Sequence, residues 1–566
     1  MNPSIGTLSI VKEENVAVPM RDGIILRANV FRPSGEGQYP SLLLRTPYGK
    51  PSDGYDRYVR AGYVVITQDS RGRYASEGSY VPFTEIDTGD AEDGYDSVEW
   101  LAQQPYCNGR VGTLGASYNA WMQWMLARLK PPHLVAMCAY SIPLELTQVD
   151  WMGAFRPARR IKWWMTTMAP DLRRRHGWPP PHTPAEAVAI WEDIEKGRWL
   201  EFLPWIDIVK YLPPGLAEYA QSWLEEPHRR AWDFESHQHE VDVPNLDFSG
   251  WYDHCNGTMG HLAGMQERGG SEASRNGNQL VIGPWNHVAM GERRIGGIDF
   301  GADARLDLTD MIIRWFDYWL KGLENGVDGA PPVRYFVMGS AQWKEAETWP
   351  LPNLREDSLY LDSSGAAGVT DNAKLARAKP QLESVDTYDY DPNDPVPTLW
   401  DASLFTVPSD RRTLEYRSDI LYYRTEPLND ELEVVGYPRV VLFAASTARD
   451  TDFFARLVDE HPDGVAIDVC YGMIRARHRK SLEEEHFLVP GEVTQFEITL
   501  GATACRFMAG HRIRIEITSS DFPNHDRNHN TGKNDLKDAQ LLVAHQQIFH
   551  STEYPSRLLL PVDTTA

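Results

Sequence analysis

The sequence predicts an α/β protein whose layered domain is interrupted by a helical insertion and followed by an all-β domain. Three observations predict it. From Asn15 to about Ser141 short apolar runs alternate with helix-like segments, and such alternation implies parallel strands in an α/β layer fold. Between Ile142 and Glu240 the alternation stops, prolines appear, and nine of the 19 tryptophans gather, from Trp151 to Trp232. Beyond Trp349-Pro350-Leu351-Pro352 helical periodicity vanishes and short β-branched and aromatic runs recur between turn residues, which suggests an antiparallel sandwich or jelly roll.

Each element follows from local pattern. Ser41–Arg45, Tyr63–Gln68 and Val111–Leu114 are short apolar runs bounded by Pro, Gly or Asp, hence buried strands. Asp90–Gln103 has an acidic first turn and helically spaced apolar residues, hence a helix. The insertion reads as helical, its aromatics forming a core, with one or two available to line a cleft. The α/β pattern resumes with Pro244–Gly250 and Gln279–Gly283 as strands, Asp307–Lys321 as a long amphipathic helix and Val333–Met338 as a further strand. In the last third Val440–Ala444, Glu497–Leu500, Arg512–Thr518 and Leu558–Pro561 read as strands. The expected division is 1–141 and 241–348 for the α/β domain, 142–240 for the insertion and 349–566 for the β domain.

Composition narrows the class. A chain of 566 residues, 42% hydrophobic and 24% charged, folds with large cores. Its 80 acidic against 56 basic side chains argue against a nucleic-acid partner, which needs a basic footprint. Cys107, Cys138, Cys255, Cys470 and Cys505 are scattered, with no C-x-x-C pair, so neither a disulfide framework nor a zinc site is expected. No apolar run is long enough to span a membrane and the segment MNPSIGTLSIVKEE carries no signal-peptide pattern. A cytoplasmic protein is the expectation, with homo-oligomerisation left open.

Gly115-Ala116-Ser117-Tyr118-Asn119 directly follows the strand ending at Leu114. A G-x-S-x-G elbow sets a serine on a sharp strand-to-helix turn; here Asn119 stands where the final Gly should be, and the motif alone is weak. Its context strengthens it. A triad on such a sheet runs Ser, acid, His, each after a strand, and Phe248–Asp253 (FSGWYD) and Val281–His287 (VIGPWNH) supply an acid and a histidine in that order. Ser117 is then the nucleophile, His287 the base and later the acid, and Asp253 the group that orients the imidazole. Asp247, inside its strand, and Asp242, before it, are worse placed. The oxyanion needs donors, and the N–H of Tyr118 is one. Tyr48, in the segment Arg45–Lys50 (RTPYGK), either lends its hydroxyl or simply packs at a strand end.

These residues resemble the cocaine-esterase-like serine hydrolases, relatives of the X-Pro dipeptidyl-peptidases and α-amino-acid ester hydrolases. The resemblance rests on residues 18–33, 43–50, 64–78, 107–120, 249–253, 282–287, 450–464 and 521–532, nearly the whole chain outside the insertion. It implies an α/β-hydrolase domain with a helical cap and a C-terminal jelly roll, Ser117, Asp253 and His287 as triad, and Tyr48 beside the Tyr118 amide as oxyanion hole. It implies no cofactor and no metal. In that family an elbow lacking the final Gly is usual. The amino-acid ester hydrolases carry acidic residues two and three positions after the triad Asp, whereas Cys255 and Asn256 stand here; the X-Pro peptidases carry a large N-terminal domain, whereas this chain begins its first strand almost at once. Both subfamilies are therefore disfavoured, leaving a carboxylic-ester hydrolase acting on a small-molecule ester, or an amide acylase of the glutaryl cephalosporin type.

Other features carry less. Arg156, Arg159, Arg160 and Arg173–Arg175 read as a solvated helix face, unless one reaches the cleft and grips an acidic acyl group. His525, Asp526 and His529 read as a structural loop rather than metal ligands. Rival readings are a non-catalytic jelly-roll binding protein with a vestigial hydrolase domain, and a metal-dependent hydrolase using those histidines.

Overall fold

The computed structural model describes residues 9–83, 89–150, 155–190, 201–226, 232–365, 367–368, 373–381, 383–399 and 407–564. Trp151, Trp191 and Trp199 and the first eight residues of the N-terminal segment lie outside them.

Among the described residues ten strands make the hydrolase sheet. Its first half comprises β1 (Ile10–Pro19), β2 (Ile25–Pro33), β3 (Tyr39–Thr46), β4 (Val64–Asp69), β5 (Cys107–Ala116) and β6 (Leu134–Tyr140), in the order β1-β2-β4-β3-β5-β6. Its second half comprises β7 (Leu246–Gly250), β8 (Gln279–Gly283), β9 (Val333–Val337) and β10 (Gln342–Ala346), paired in sequence. A parallel bridge between Met137 and Asn245, with the Met137 N–H donating to the Pro244 carbonyl at 2.9 Å, joins β6 to β7. The strands from β4 to β9 run parallel, as their continuous apolar burial requires. The antiparallel β1–β2 pair at one edge is an addition that the reading of short apolar runs did not single out.

The helices are where the pattern puts them. α1 (Asp90–Ala102) places Asp90 and Asp93 in its first turn, where Arg71 grips Asp93 through two bonds of 2.9 and 2.6 Å. α2 (Tyr118–Ala127) buries nearly every side chain between the sheet and the insertion. α3 (Leu308–Lys321) is capped by the Asp307 carboxylate on the Asp310 N–H at 3.2 Å and ends at Gly322 in the left-handed region. Ile312, Trp315, Phe316 and Leu320 form its one buried stripe.

Between β6 and β7 the described residues are helical or irregular, including Ala158–Lys162, a π-helical turn Trp163–Met168, Ala169–Arg175 and Leu216–Glu225. Trp164 and Trp223 meet edge to face at 5.0 Å inside the core of this cap, as expected of its tryptophans. The C-terminal region is a β domain of jelly-roll type; Arg512–Thr518 runs antiparallel between Leu421–Arg424 and Asp452–Glu460. Among the described residues no helix is long and apolar enough to cross a membrane. All five cysteines are buried and none is in a disulfide.

The arginine stretch divides: Arg174 and Arg175 form the exposed face expected of them, whereas Arg156, Arg159 and Arg160 turn inward. Arg156 is buried, and its Nη1 donates to Asp526 Oδ2 of the β domain at 3.0 Å; Arg159 and Arg160 turn into the cavity described below. Arg173–Arg175 lie further along the cap, where Arg174 and Arg175 are exposed, Arg174 pairing with Asp171 and Arg175 donating to the Tyr74 carbonyl at 3.1 Å. His525, Asp526 and His529 are all buried, and the Asp526 carboxylate is occupied by Arg156 and Arg475, so the three do not converge on an ion.

Candidate active site

The chain enters the site at Ser117, the residue between β5 and α2. Its φ of 58° and ψ of −124° are strained for a residue with a side chain, at a cost of about 1–3 kcal/mol, and such strain projects the hydroxyl off the sheet edge. The missing final Gly is accommodated two residues upstream of the serine: a Cβ on Gly115 would lie 2.7 Å from the Asn119 Cβ. Gly115 thus cedes the volume that Asn119 occupies. Gln123, one turn further on, donates to the Gly115 and Asn119 carbonyls at 3.1 and 3.2 Å and holds the elbow from beneath. The Tyr118 N–H opens α2, where the helix itself supplies no acceptor. The Tyr118 side chain turns away, stacked on Phe83 at 4.3 Å, its hydroxyl accepting from the Phe83 N–H at 2.7 Å.

Asp253 follows β7 by three residues and His287 follows β8 by four. What registers these two loops is a backbone zipper. Trp251 N–H donates to the Gly283 carbonyl and Tyr252 N–H to the Trp285 carbonyl, both at 3.0 Å. The approach requires Gly250, since a Cβ there would sit 2.2 Å from the Trp285 oxygen. Asn286 shapes the second loop by accepting from the Val288 and Ala289 N–H groups at 3.3 and 3.0 Å.

The result is a 2.9 Å bond between His287 Nδ1 and Asp253 Oδ1. Burial pushes the Asp253 carboxyl up, but His287, the Cys255 N–H at 2.9 Å and the Ser141 hydroxyl outweigh it and hold it below the ordinary carboxylate range. An ionised Asp253 can only accept, so His287 Nδ1 carries the proton and Nε2 is the nitrogen with the lone pair. The rival acids are engaged elsewhere: Asp247 is buried and pushed well up by desolvation, and Asp242 pairs with Lys130 at 3.0 Å.

Ser117, His287 and Tyr48 border one cavity of about 300 Å³, the size of a small-ligand pocket. Tyr48 accepts from Trp163 Nε1 at 3.3 Å. Burial pushes its phenol up to about 12, against the pull of that bond and of Arg160 and Arg73, so the hydroxyl keeps its proton. The cap closes the cavity with Trp163, Trp232, Arg159 and Arg160, the Arg160 guanidinium lying 4.9 Å from the Trp163 ring and 5.6 Å from that of Phe83.

Sequence reasoning missed His254. Its ring lies 4.4 Å from that of His287 and its Nδ1 3.6 Å from Asp253 Oδ1. Burial, reinforced by Arg159, His287 and Arg160, drives its pKa well below the usual histidine value. It is therefore neutral and does not compete for the charge of Asp253. Its place directly after the acid was the available signal.

Comparison with known proteins follows the two-part architecture. The model of the X-Pro dipeptidyl-peptidase (S15 family) matches residues 22–289, and that of the X-Pro dipeptidyl-peptidase C-terminal non-catalytic domain matches residues 325–559. Cocaine esterase of Rhodococcus sp. (strain MB1 Bresler) is 34% identical over 576 residues, covering 97% of this chain and 98% of that protein. Among solved structures, an α-amino acid ester hydrolase superposes with a TM-score of 0.78 at 25% identity, covering 100% of this chain and 98% of its own. An aminopeptidase from the marine sediment archaeon Thaumarchaeota archaeon shares the fold, with a TM-score of 0.77 at 24% identity, covering 99% and 98%.

Proposed function

The chain belongs to the cocaine-esterase-like serine hydrolases of the X-Pro dipeptidyl-peptidase (S15) family and is a carboxylic-ester hydrolase; from that premise we propose that it cleaves a small ester through an acyl-enzyme formed on Ser117. His287 Nε2 takes the Ser117 proton as Oγ attacks the ester carbonyl, and Asp253 stabilises the imidazolium so formed. The oxyanion is held by the Tyr118 N–H and the Tyr48 hydroxyl. Collapse breaks the ester C–O bond, the imidazolium protonates the departing alkoxide, and the alcohol leaves. Water, deprotonated by the same imidazole, then attacks the acyl carbonyl and regenerates Ser117. We divide the chain accordingly into hydrolase (1–141, 241–348), cap (142–240) and jelly roll (349–566).

The single observation that carries this reading is the His287–Asp253 bond opening on the cavity that Ser117 and Tyr48 share. Ester chemistry is preferred over amide chemistry because the relative similar over its full length is named an esterase. The test is Ser117→Ala, which removes p-nitrophenyl ester turnover and fluorophosphonate labelling while circular dichroism is unchanged. Turnover retained by that variant refutes the assignment, and a wild type inert to every ester offered would favour a vestigial, binding-only domain.

A further inference from the structure

Outside the cavity that Ser117 borders, at one end of the β domain, two adjacent turns bring a carboxylate and two imidazoles together. The strand Asp452–Glu460 pairs antiparallel with Arg512–Thr518, the register running through Asp459↔Ile513 to Glu460↔Arg512. His461 directly follows Glu460 and His511 directly precedes Arg512, so a continuation of that register sets the two histidines opposite each other. Side chains two apart on a strand share a face, and directly opposed residues share it too. Asp459, His461 and His511 are thus delivered to one side of the sheet by backbone pairing alone.

The side chains confirm the convergence. His511 Nδ1 lies 2.9 Å from Asp459 Oδ1 and His461 Nε2 lies 3.5 Å from Asp459 Oδ2. The two rings are 4.4 Å apart at 32°, and one ligand atom from each of the three residues falls within 4.8 Å of the others. Asp459 is buried, which fixes the carboxylate, while His461 is about a third exposed at 36%, which leaves an entry path. Asp463 and Asp410 add negative potential at His461, in the same sense as Asp459.

We propose that Asp459, His461 and His511 form a binding site for one divalent transition-metal ion, of the zinc, cobalt or nickel type, that ties together the turns after Glu460 and before Arg512. Two imidazole nitrogens and one carboxylate oxygen are the ligand set of those ions, whereas magnesium and calcium take oxygen ligands only. In the metal-free chain the carboxylate faces the two nitrogens across distances that a metal spans by small rotations; binding displaces the imidazole protons there, and solvent completes the coordination. Asp459 and His461 also open on a cavity of about 350 Å³ whose other wall includes Tyr252 and Phe300 of the hydrolase domain. An ion there stiffens the β domain where it meets the loop that bears Asp253.

The test uses the full chain titrated with cobalt(II) and zinc(II), following visible absorption, bound metal after dialysis, melting temperature and ester turnover. The expected result is one equivalent bound, weak visible cobalt bands without a thiolate charge-transfer band, a raised melting temperature and unchanged turnover. Affinity falls about tenfold or more in His461→Ala and in His511→Ala. Because His461 is partly exposed, its variant folds even where the His511 variant does not. The proposal is overturned by absence of binding at stoichiometric metal, or by binding undiminished in both variants. A thiolate band with loss of turnover likewise overturns it, since that assigns the ion to Asp253, His254, Cys255 and His287, which also lie within reach of one another.

Discussion

Replacing Tyr48 with Phe isolates a single hydroxyl. Its oxygen accepts one hydrogen bond, from Trp163 Nε1 at 3.3 Å, which leaves its own proton to be directed at the cavity that holds Ser117. That proton is secure at any working pH because burial raises the phenol to about 12. If the hydroxyl is one of two oxyanion donors, its loss costs about 2.7–4 kcal/mol in the transition state, or roughly 10²–10³ in kcat. KM changes little, since the ground-state carbonyl is not where the donors point. Stability falls by about 1 kcal/mol, the net worth of the Trp163 bond, while the ring keeps its edge-on contact with Tyr118 at 6.4 Å. Steady-state hydrolysis of a p-nitrophenyl ester, with melting temperature as the fold control, reads both quantities. A Tyr48→Phe enzyme whose kcat stays within about threefold of wild type would show that Tyr48 merely packs at its strand end, and the oxyanion hole would need another second donor.

Three further outcomes are expected. Gly250→Ala drives a Cβ into the Trp285 carbonyl and separates the two loops, so kcat falls at least about tenfold through misplacement of His287 alone; turnover within twofold of wild type would mean the zipper does not set triad register. His261 and His525 are held neutral at about 4, in both cases chiefly by burial, so the unfolded chain takes up their protons first as pH falls. The stability each provides is complete above the unfolded value near 6.5 and is lost toward pH 4, about 3 kcal/mol per group. Asp90 and Asp452, raised by burial to about 6 and about 7, act in the opposite sense over the same range, so the comparison is between urea midpoints of wild type and His261→Gln. Equal pH slopes for the two proteins would discount His261. Finally, Arg159 and Arg160 in the cavity wall should favour esters whose acyl chain ends in a carboxylate by about tenfold in kcat/KM, the worth of one charge-assisted bond. Arg160→Gln should shrink that ratio, and a wild type with no preference removes the idea.

What could be read in advance divides along a physical line. The hydrolase strands, the elbow and the order of acid and base are local matters: apolar runs of the right length and turn residues after them. Gln279–Gly283 has the bounds its pattern predicts, and Asp307 caps its helix as an acidic residue before an apolar stripe should. The walls of the cavity are not local. Trp163 reaches Tyr48 from a π-helical turn, a winding that a search for 3.6-residue periodicity passes over, and that turn sits between Arg160 and the rest of the cap. Arg156 resembled solvent-facing charge because its partner, Asp526, is 370 residues away. Charges close in sequence can be sorted by spacing, but a cation paired across domains carries no local mark. The same limit applied to His254 and to the Asp459–His461–His511 cluster: one depends on two loops being zipped together, the other on strand register. In each case the residue types were visible, and the missing quantity was which backbone lies next to which. Pairing partners set by tertiary packing therefore decide the shape of the cavity here, whereas the proposed trio of Ser117, Asp253 and His287 needs only that three strands end on the same side of one sheet.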